Sequence, residues 1–159
     1  MRMRTFLLLA PALVALACSP AVSPNAFLTK AIQGDNSEMR LGAIAASKGG
    51  SAVAEYGRML VADHTKARAD AVAVATRYGV TPPTEVLPEA SKEQDKLAGL
   101  TGTAFDREFV SYMLDDHKSD ISDFMKEIDD SSTPADVRKL AQDTLPHLRT
   151  HLDMAKRLT

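Results

Sequence analysis

The clearest helical pattern in the chain lies in residues 51–79, which read SAVAEYGRMLVADHTKARADAVAVATRYG. Small and apolar side chains recur there every three or four positions, the spacing of one face of an α-helix. That face consists of Val53, Gly57, Leu60, His64, Ala67, Ala71 and Val74. Ser51 is suited to cap the start of this helix, and Gly79 to end it after Tyr78. The pattern predicts one long amphipathic helix whose buried face includes an imidazole.

Three further segments show the same spacing, and each begins beside a serine or threonine. They run from Pro24 to about Ser47, from Ala104 to about Asp129, and from Pro134 to the C-terminus, with Ser23, Thr103 and Thr133 as the predicted N-caps. No stretch alternates apolar and polar residues over more than a few positions, so no strand competes with the helices. The chain is predicted to be all-α.

The gaps between these helices indicate the topology. The first and third gaps contain only a few residues, so the helices that they join are expected to form antiparallel hairpins. The gap at residues 79–102 contains three prolines and a short helix predicted from Ser91 to Leu97. It can span the bundle, since a helix of about 25 residues is about 38 Å long. We expect a four-helix bundle of two hairpins joined by a crossover, as in ferritin-like proteins.

Each of the four predicted buried faces contains one residue of a metal-binding type. These residues are Glu38, His64, His117 and His151. A buried glutamate is costly unless it is paired or bound to a metal. Imidazole and carboxylate donors suit Zn, Cu or Fe. Because the crossover makes the second and third long helices parallel, His64 and His117 are expected at one level of the bundle. The pattern therefore predicts a transition-metal site in the core.

Several details of this site stay open. His147 is closer in height to His117 than His151 is, although only His151 lies on the apolar face. Asp63 and Asp116 directly precede two of the histidines, and each either orients an imidazole of a neighbouring helix or lies in solvent. The four core residues could also form a hydrogen-bond network without a metal.

The composition argues against several functions. The 159 residues contain 19 Lys and Arg against 21 Asp and Glu without a basic block, so no nucleic-acid partner is expected. A single cysteine excludes a disulfide framework and a thiolate cluster. Only one carboxylate is predicted to point inward, and no acid lies three residues before a core histidine, which disfavours di-iron chemistry. Phosphate-binding, nucleophile-elbow and zincin motifs are missing, so binding is favoured over catalysis.

Residues 1–17 have the composition of an export signal, with two arginines before an apolar run too short to span a membrane. Cys18 follows in a context that resembles a bacterial lipobox. Lipidation there predicts a periplasmic protein anchored in the outer membrane, with residues 18–23 as a tether and residues 24–158 as the folded domain. The alternative is an Ala-x-Ala cleavage that releases a soluble periplasmic protein. Both interpretations predict export.

Five motifs occur in order along the chain: Glu38-Met39-x-Leu41-Gly42, Met59-x-x-x-Asp63-His64, Leu100-x-Gly102-x-x-Phe105-Asp106, Met113-x-x-Asp116-His117 and Leu145-Pro146-x-Leu148-x-x-His151-Leu152. This set resembles the bacterial exported family called domain of unknown function 4142, over roughly residues 25–158. The resemblance implies a ferritin-like fold, an envelope location and shared polar positions at Glu38, Asp63, His64, Asp116, His117 and His151. It gives no support to His147 and implies no activity.

Three functions are therefore compatible with the sequence. The first is an exported protein that binds a transition metal for a structural or buffering purpose. The second is a metal-free envelope module in stress protection or partner binding, in which the polar core only sets the helix register. The third is a metalloenzyme with redox activity, which needs an open coordination position.

Overall fold

The structure is a computed structural model that describes residues 24–159, so the export signal, Cys18 and the tether lie outside the described residues. The described residues form five helices and no strand. The helices are α1 (Pro24–Lys48), α2 (Ser51–Arg77), α3 (Pro88–Ala98), α4 (Gly102–Asp129) and α5 (Ala135–Lys156). The predicted all-α class is confirmed. Within residues 24–159, no helix combines the length and apolar character needed to cross a membrane.

The predicted start of two helices is wrong by a few residues. The helix in the long connection begins at Pro88 and not at Ser91, because proline has no N–H to lose in a first helical turn. Thr101, not Thr103, precedes α4, and its side chain makes no cap hydrogen bond. The chain there turns through Gly102, whose φ of 55° lies in the left-handed region that favours glycine.

The predicted caps of α2 and α5 are also wrong. Gly50, not Ser51, occupies the N-cap of α2, and its N–H is bound at 3.0 Å by the Asp106 carboxylate of α4. Pro134 occupies the N-cap of α5. The hydroxyl of Thr133 instead donates to Glu127 at 3.1 Å. A side chain of another helix therefore binds the main chain at the start of α2, whereas the hydroxyl expected to cap α5 is used by Glu127.

The helices pack mainly as two pairs, α1 with α2 and α4 with α5, and the pairs meet through α2 against α5 and α1 against α4. The first pair approaches closely at two glycines. A Cβ atom on Gly57 would lie 2.5 Å from the carbonyl oxygen of Gly42, and one on Gly42 would lie 2.8 Å from that of Gly57. Only glycine permits this contact between the two backbones.

Two apolar clusters fill the interior and show the direction of each helix. The first apolar cluster includes Leu41, Leu60, Phe105, Met113 and Ala155. The second apolar cluster includes Ile32, Val74, Phe124, Val137 and Leu148. Along the chain, α2 and α4 run from the first cluster to the second, whereas α1 and α5 run the opposite way. The connection with α3 therefore returns along the length of the molecule, and α2 and α4 are parallel.

Candidate metal centre

A polar layer separates the two apolar clusters. Each long helix contributes one residue to it, at the position where that helix passes from one cluster to the other; the four are Glu38, His64, His117 and His151. None of these residues is more than 4% exposed. Helical periodicity places them on buried faces, and the directions of the helices place them at one level. The structure thus brings together the four residues that the sequence analysis singled out.

The three imidazoles form a compact triangle. Their ring centroids are 5.2 Å apart for His64 and His151, 5.4 Å for His117 and His151, and 6.2 Å for His64 and His117. Each ring offers one nitrogen to a group in which all three atoms lie within 4.8 Å of one another. Nitrogens around a tetrahedral zinc ion are about 3.4 Å apart, given Zn–N bonds of about 2.0–2.1 Å. A small inward movement of the rings would bring them to that separation.

Each imidazole is held by a hydrogen bond on its outer nitrogen. Nδ1 of His64 lies 2.9 Å from Oδ1 of Asp35, and Nε2 of His151 lies 2.9 Å from Oδ2 of Asp63. Nδ1 of His117 lies 2.9 Å from the main-chain carbonyl oxygen of Met113. Since a carbonyl only accepts, Nδ1 of His117 carries the hydrogen, and a carboxylate in its ionised form imposes the same arrangement on the ring that it contacts.

The inner nitrogens are left without partners. Nε2 of His64, Nε2 of His117 and Nδ1 of His151 are buried, and none has a hydrogen bond within residues 24–159. With the outer nitrogens acting as donors, each inner nitrogen presents a lone pair to the other two. Buried polar atoms are nearly always satisfied in folded proteins, so three unsatisfied acceptors at one point require an explanation.

Glu38 lies beside the triangle with both carboxylate oxygens buried and unpartnered. Its Oε2 is 4.0 Å from Nε2 of His64, and its Oε1 is 3.5 Å from Nδ1 of His117. Asp116 on α4 offers a carboxylate oxygen within 4.8 Å of Glu38 and His117 atoms. The side of the triangle nearest α1 and α4 is therefore lined by carboxyl groups.

Burial is the main cause of the pKa shifts in this layer. It lowers the pKa of His64 to about 3 and that of His151 to about 4, and it also lowers the pKa of His117. The histidines are consequently neutral at neutral pH, which is the form that binds metals. Burial raises the pKa of Glu38 and that of Asp116, and the closeness of the two carboxyls raises the pKa of Asp116 further.

Two more carboxyls extend this acidic side, and the sequence analysis did not include them. Asp35 is buried and lies three residues before Glu38 on α1. Burial raises the pKa of Asp35 well above its usual range and that of Asp120 to about 7. The expectation of a single inward carboxylate is wrong. The i, i+3 spacing of Asp35 and Glu38 places them on one helix face and could have revealed the second.

The remaining residues that the sequence analysis considered for the site, two aspartates and one histidine, lie in three different surroundings. Asp63 reaches from α2 to the His151 ring on α5. Asp116 makes no hydrogen bond to an imidazole within residues 24–159, and its carboxyl faces Glu38 instead. His147 is exposed and lies outside the triangle, one helical turn from His151. A turn of α5 therefore separates the surface histidine from the buried one.

A groove between α2 and α5 borders the triangle on the surface side. Its volume is about 430 Å³, and its lining includes Asp63, His64, His147 and His151. Its rim carries acids paired with bases, such as Lys139 with Asp143 at 2.8 Å. His64 and His151 are thus the members of the triangle that border the groove, and their inner nitrogens are buried behind it.

These features define an all-helical protein with a buried cluster of histidines and carboxyls between two apolar clusters. The family described as Domain of unknown function (DUF4142) matches residues 11–158, and the chain belongs to this family. The resemblance noted from the five motifs is confirmed. No curated protein and no solved structure matches the chain.

Proposed function

We propose that this protein binds one transition-metal ion, Zn, Cu or Fe, through His64, His117 and His151, with Glu38 completing the ligand set. The observation that carries the proposal is the convergence of three buried, unpartnered ring nitrogens within 4.8 Å. Three imidazoles with one carboxylate supply four donors, the number that tetrahedral sites require.

The hydrogen bonds behind the rings support this function. Histidines that bind metals almost always donate their other N–H to a carboxylate or a main-chain carbonyl, which sets the tautomer and the ring orientation. Asp35, Asp63 and the carbonyl of Met113 provide such acceptors, each at 2.9 Å. A metal-free network would instead be expected to join the inner nitrogens to donors, and no donor reaches them within the described residues.

The fold in this proposal is a ferritin-like four-helix bundle. Two helix pairs joined by a long returning connection, with polar residues of four helices at one level, match that architecture. The ligand set differs from the di-iron pattern, because three of the four helices contribute a histidine and no Glu-x-x-His motif accompanies them.

A second candidate function, a redox metalloenzyme, is favoured by the groove between α2 and α5. The groove borders His64 and His151, and a small molecule in it would need to reach them if one coordination position is open. Peroxide or superoxide turnover by the metal-loaded protein, lost in His117→Ala, would support this candidate. Without such turnover, a structural or buffering metal is the better description.

The cellular location in this proposal is the periplasmic side of the envelope. The signal-like residues 1–17 and Cys18 support export and a lipid anchor in the outer membrane. Cys18→Ser is expected to release the protein from membranes after fractionation. If Cys18→Ser stays membrane-associated, the anchor proposal is wrong, and release of the wild type itself indicates the soluble alternative.

Metal analysis tests the main proposal. We expect the purified domain, incubated with Zn²⁺, Cu²⁺ or Fe²⁺ and dialysed, to retain one ion per chain by mass spectrometry. His151→Ala is expected to lose the ion, while His147→Ala, one turn away on the surface of the same helix, keeps it. No stoichiometric metal in the wild type, together with an unchanged melting temperature on metal addition, would favour the metal-free module.

A further inference from the structure

The carboxyls beside the histidine triangle form a separate group with the chemistry of a cation site. Glu38, Asp116 and His117 each offer one atom, and these atoms lie within 4.8 Å of one another. The two oxygens of Glu38 have different neighbours. Oε2 is 4.0 Å from the unpartnered Nε2 of His64, whereas Oε1 is 3.5 Å from Nδ1 of His117. One carboxylate thus borders both the histidine triangle and the acidic side of the layer.

Glu38 and Asp116 are two buried carboxyls that lack a basic side chain as partner. Within residues 24–159, neither carboxyl forms an ion pair with a lysine or an arginine; the imidazoles within 4.0 Å of Glu38 are those of His64 and His117, which are neutral. Glu38 is 1% exposed, and neither of its oxygens has a hydrogen-bond partner. Two carboxyls this close either share a proton or hold a positive ion between them, and the second arrangement is the one that supplies a cation site.

Tyr112 brings a further oxygen near these carboxyls. It lies one helical turn before Asp116 on α4, and its hydroxyl is buried without a hydrogen-bond partner. The charges of Asp116 and Glu38 both act on this hydroxyl. Nδ1 of His117 is excluded as a donor to a cation there, because its hydrogen is given to the carbonyl of Met113. The available donors on this side are therefore oxygens.

We propose that Glu38 and Asp116 hold a second divalent cation next to the histidine-bound ion, with the Glu38 carboxylate bridging the two. The bridge rests on the proposed function for the first ion. Oxygen donors select a harder cation than the imidazoles do, such as Mn²⁺ or Mg²⁺, which one or two carboxylates and several waters hold in many proteins. Ions bridged in this way are about 3.5–4 Å apart.

Sequential titration tests the proposal. The protein is first loaded with one equivalent of Zn²⁺ and then titrated with Mn²⁺. The decrease in the electron paramagnetic resonance signal of free Mn²⁺ gives the number of bound Mn²⁺ ions. We expect one Zn²⁺ and one Mn²⁺ per chain. Asp116→Asn is expected to retain Zn²⁺ and to bind Mn²⁺ weaker by about tenfold or more. Asp115→Asn is the matched control, because Asp115 is exposed and pairs with Lys118 at 3.0 Å.

The outcomes separate the two sites. Equal Mn²⁺ binding by Asp116→Asn and Asp115→Asn overturns the second site, as does a Zn²⁺-loaded wild type that binds no Mn²⁺. The wild-type titration needs no variant, so a poorly folded Asp116→Asn does not remove the test. If Zn²⁺ fails to bind but Mn²⁺ binding still depends on Asp116, the histidine site is refuted and the carboxylate site stands without its bridge.

Discussion

His117 gives its Nδ1 hydrogen to the main-chain carbonyl of Met113, one turn earlier on α4, at 2.9 Å. A carbonyl cannot donate, so this bond leaves Nε2 of His117 as the acceptor that faces His64 and His151. Because the partner is a main-chain carbonyl within a helix, the hydrogen cannot move from Nδ1 to Nε2 of the ring without loss of that bond. His117 therefore presents a lone pair to the centre of the layer before any ion is bound.

Removal of the bound metal is expected to lower the stability of the fold. An ion that binds only the folded chain stabilises it by about 2.7 kcal/mol at a free concentration 100 times Kd. For a domain of this size the expected change in melting temperature is roughly 8–10 °C. Calorimetry with Zn²⁺ and then with a chelator measures the difference. His64→Ala serves as control, since added Zn²⁺ should not change its melting temperature.

Asp63→Asn is expected to weaken metal binding while leaving the fold intact. Asp63 accepts from Nε2 of His151 at 2.9 Å, and loss of such an orienting acceptor typically costs about 10- to 100-fold in metal affinity. Competition with a chromophoric chelator gives the affinity. Asp70→Asn is the matched control, because Asp70 is exposed on the same helix and pairs with Lys66. Equal affinities in the two variants would show that Asp63 plays no part in the site.

Gly57→Ala is expected to destabilise the α1–α2 pair by about 1–3 kcal/mol. The new Cβ would lie 2.5 Å from the carbonyl oxygen of Gly42 and 2.8 Å from the main-chain nitrogen of Ala46, so the two backbones must separate. Urea denaturation measures the change. Gly34→Ala is the contrasting variant, since the nearest atom to its Cβ is 4.0 Å away. Removing a glycine from this half-buried position of α1, which has room for a Cβ atom, should stabilise the helix by about 0.5–1 kcal/mol.

Glu93→Gln is expected to raise the melting temperature at pH 7 and to lose that advantage near pH 4. Glu93 is buried on α3 with Oε1 unpartnered. Burial, followed by the charge of Glu108, raises the pKa of Glu93 above its usual value of 4.5. The folded state then holds the proton more tightly than the unfolded state does, so wild-type stability falls as the pH rises through this range.

The neutral glutamine avoids that loss. Thermal unfolding of Glu93→Gln and the wild type between pH 4 and pH 7 therefore measures the effect. Glu89→Gln on the exposed side of α3 is the control for the loss of a carboxylate from this helix. A difference between Glu93→Gln and the wild type that is constant with pH would mean that the Glu93 charge is not its cause.

Much of the fold could be predicted from the sequence because it depends on local spacing. The 3–4 periodicity placed the long helices and put His64, His117 and His151 on buried faces. The start of α2 was harder to predict, since its partner comes from elsewhere in the chain. The N–H of Gly50 is bound by Asp106, which lies 56 positions away.

The sequence by itself therefore determined the residue types and the buried helix faces. These were enough to single out one glutamate and three histidines. The tertiary structure alone decided which nitrogen of each histidine is hydrogen-bonded and which is free. Which nitrogen of His64 is free depends on Asp35, 29 positions away on α1, and which nitrogen of His151 is free depends on Asp63, 88 positions away on α2. Such contacts form only when separate helices pack together, and helical periodicity gives the buried face of each helix but not the atoms of two helices that meet.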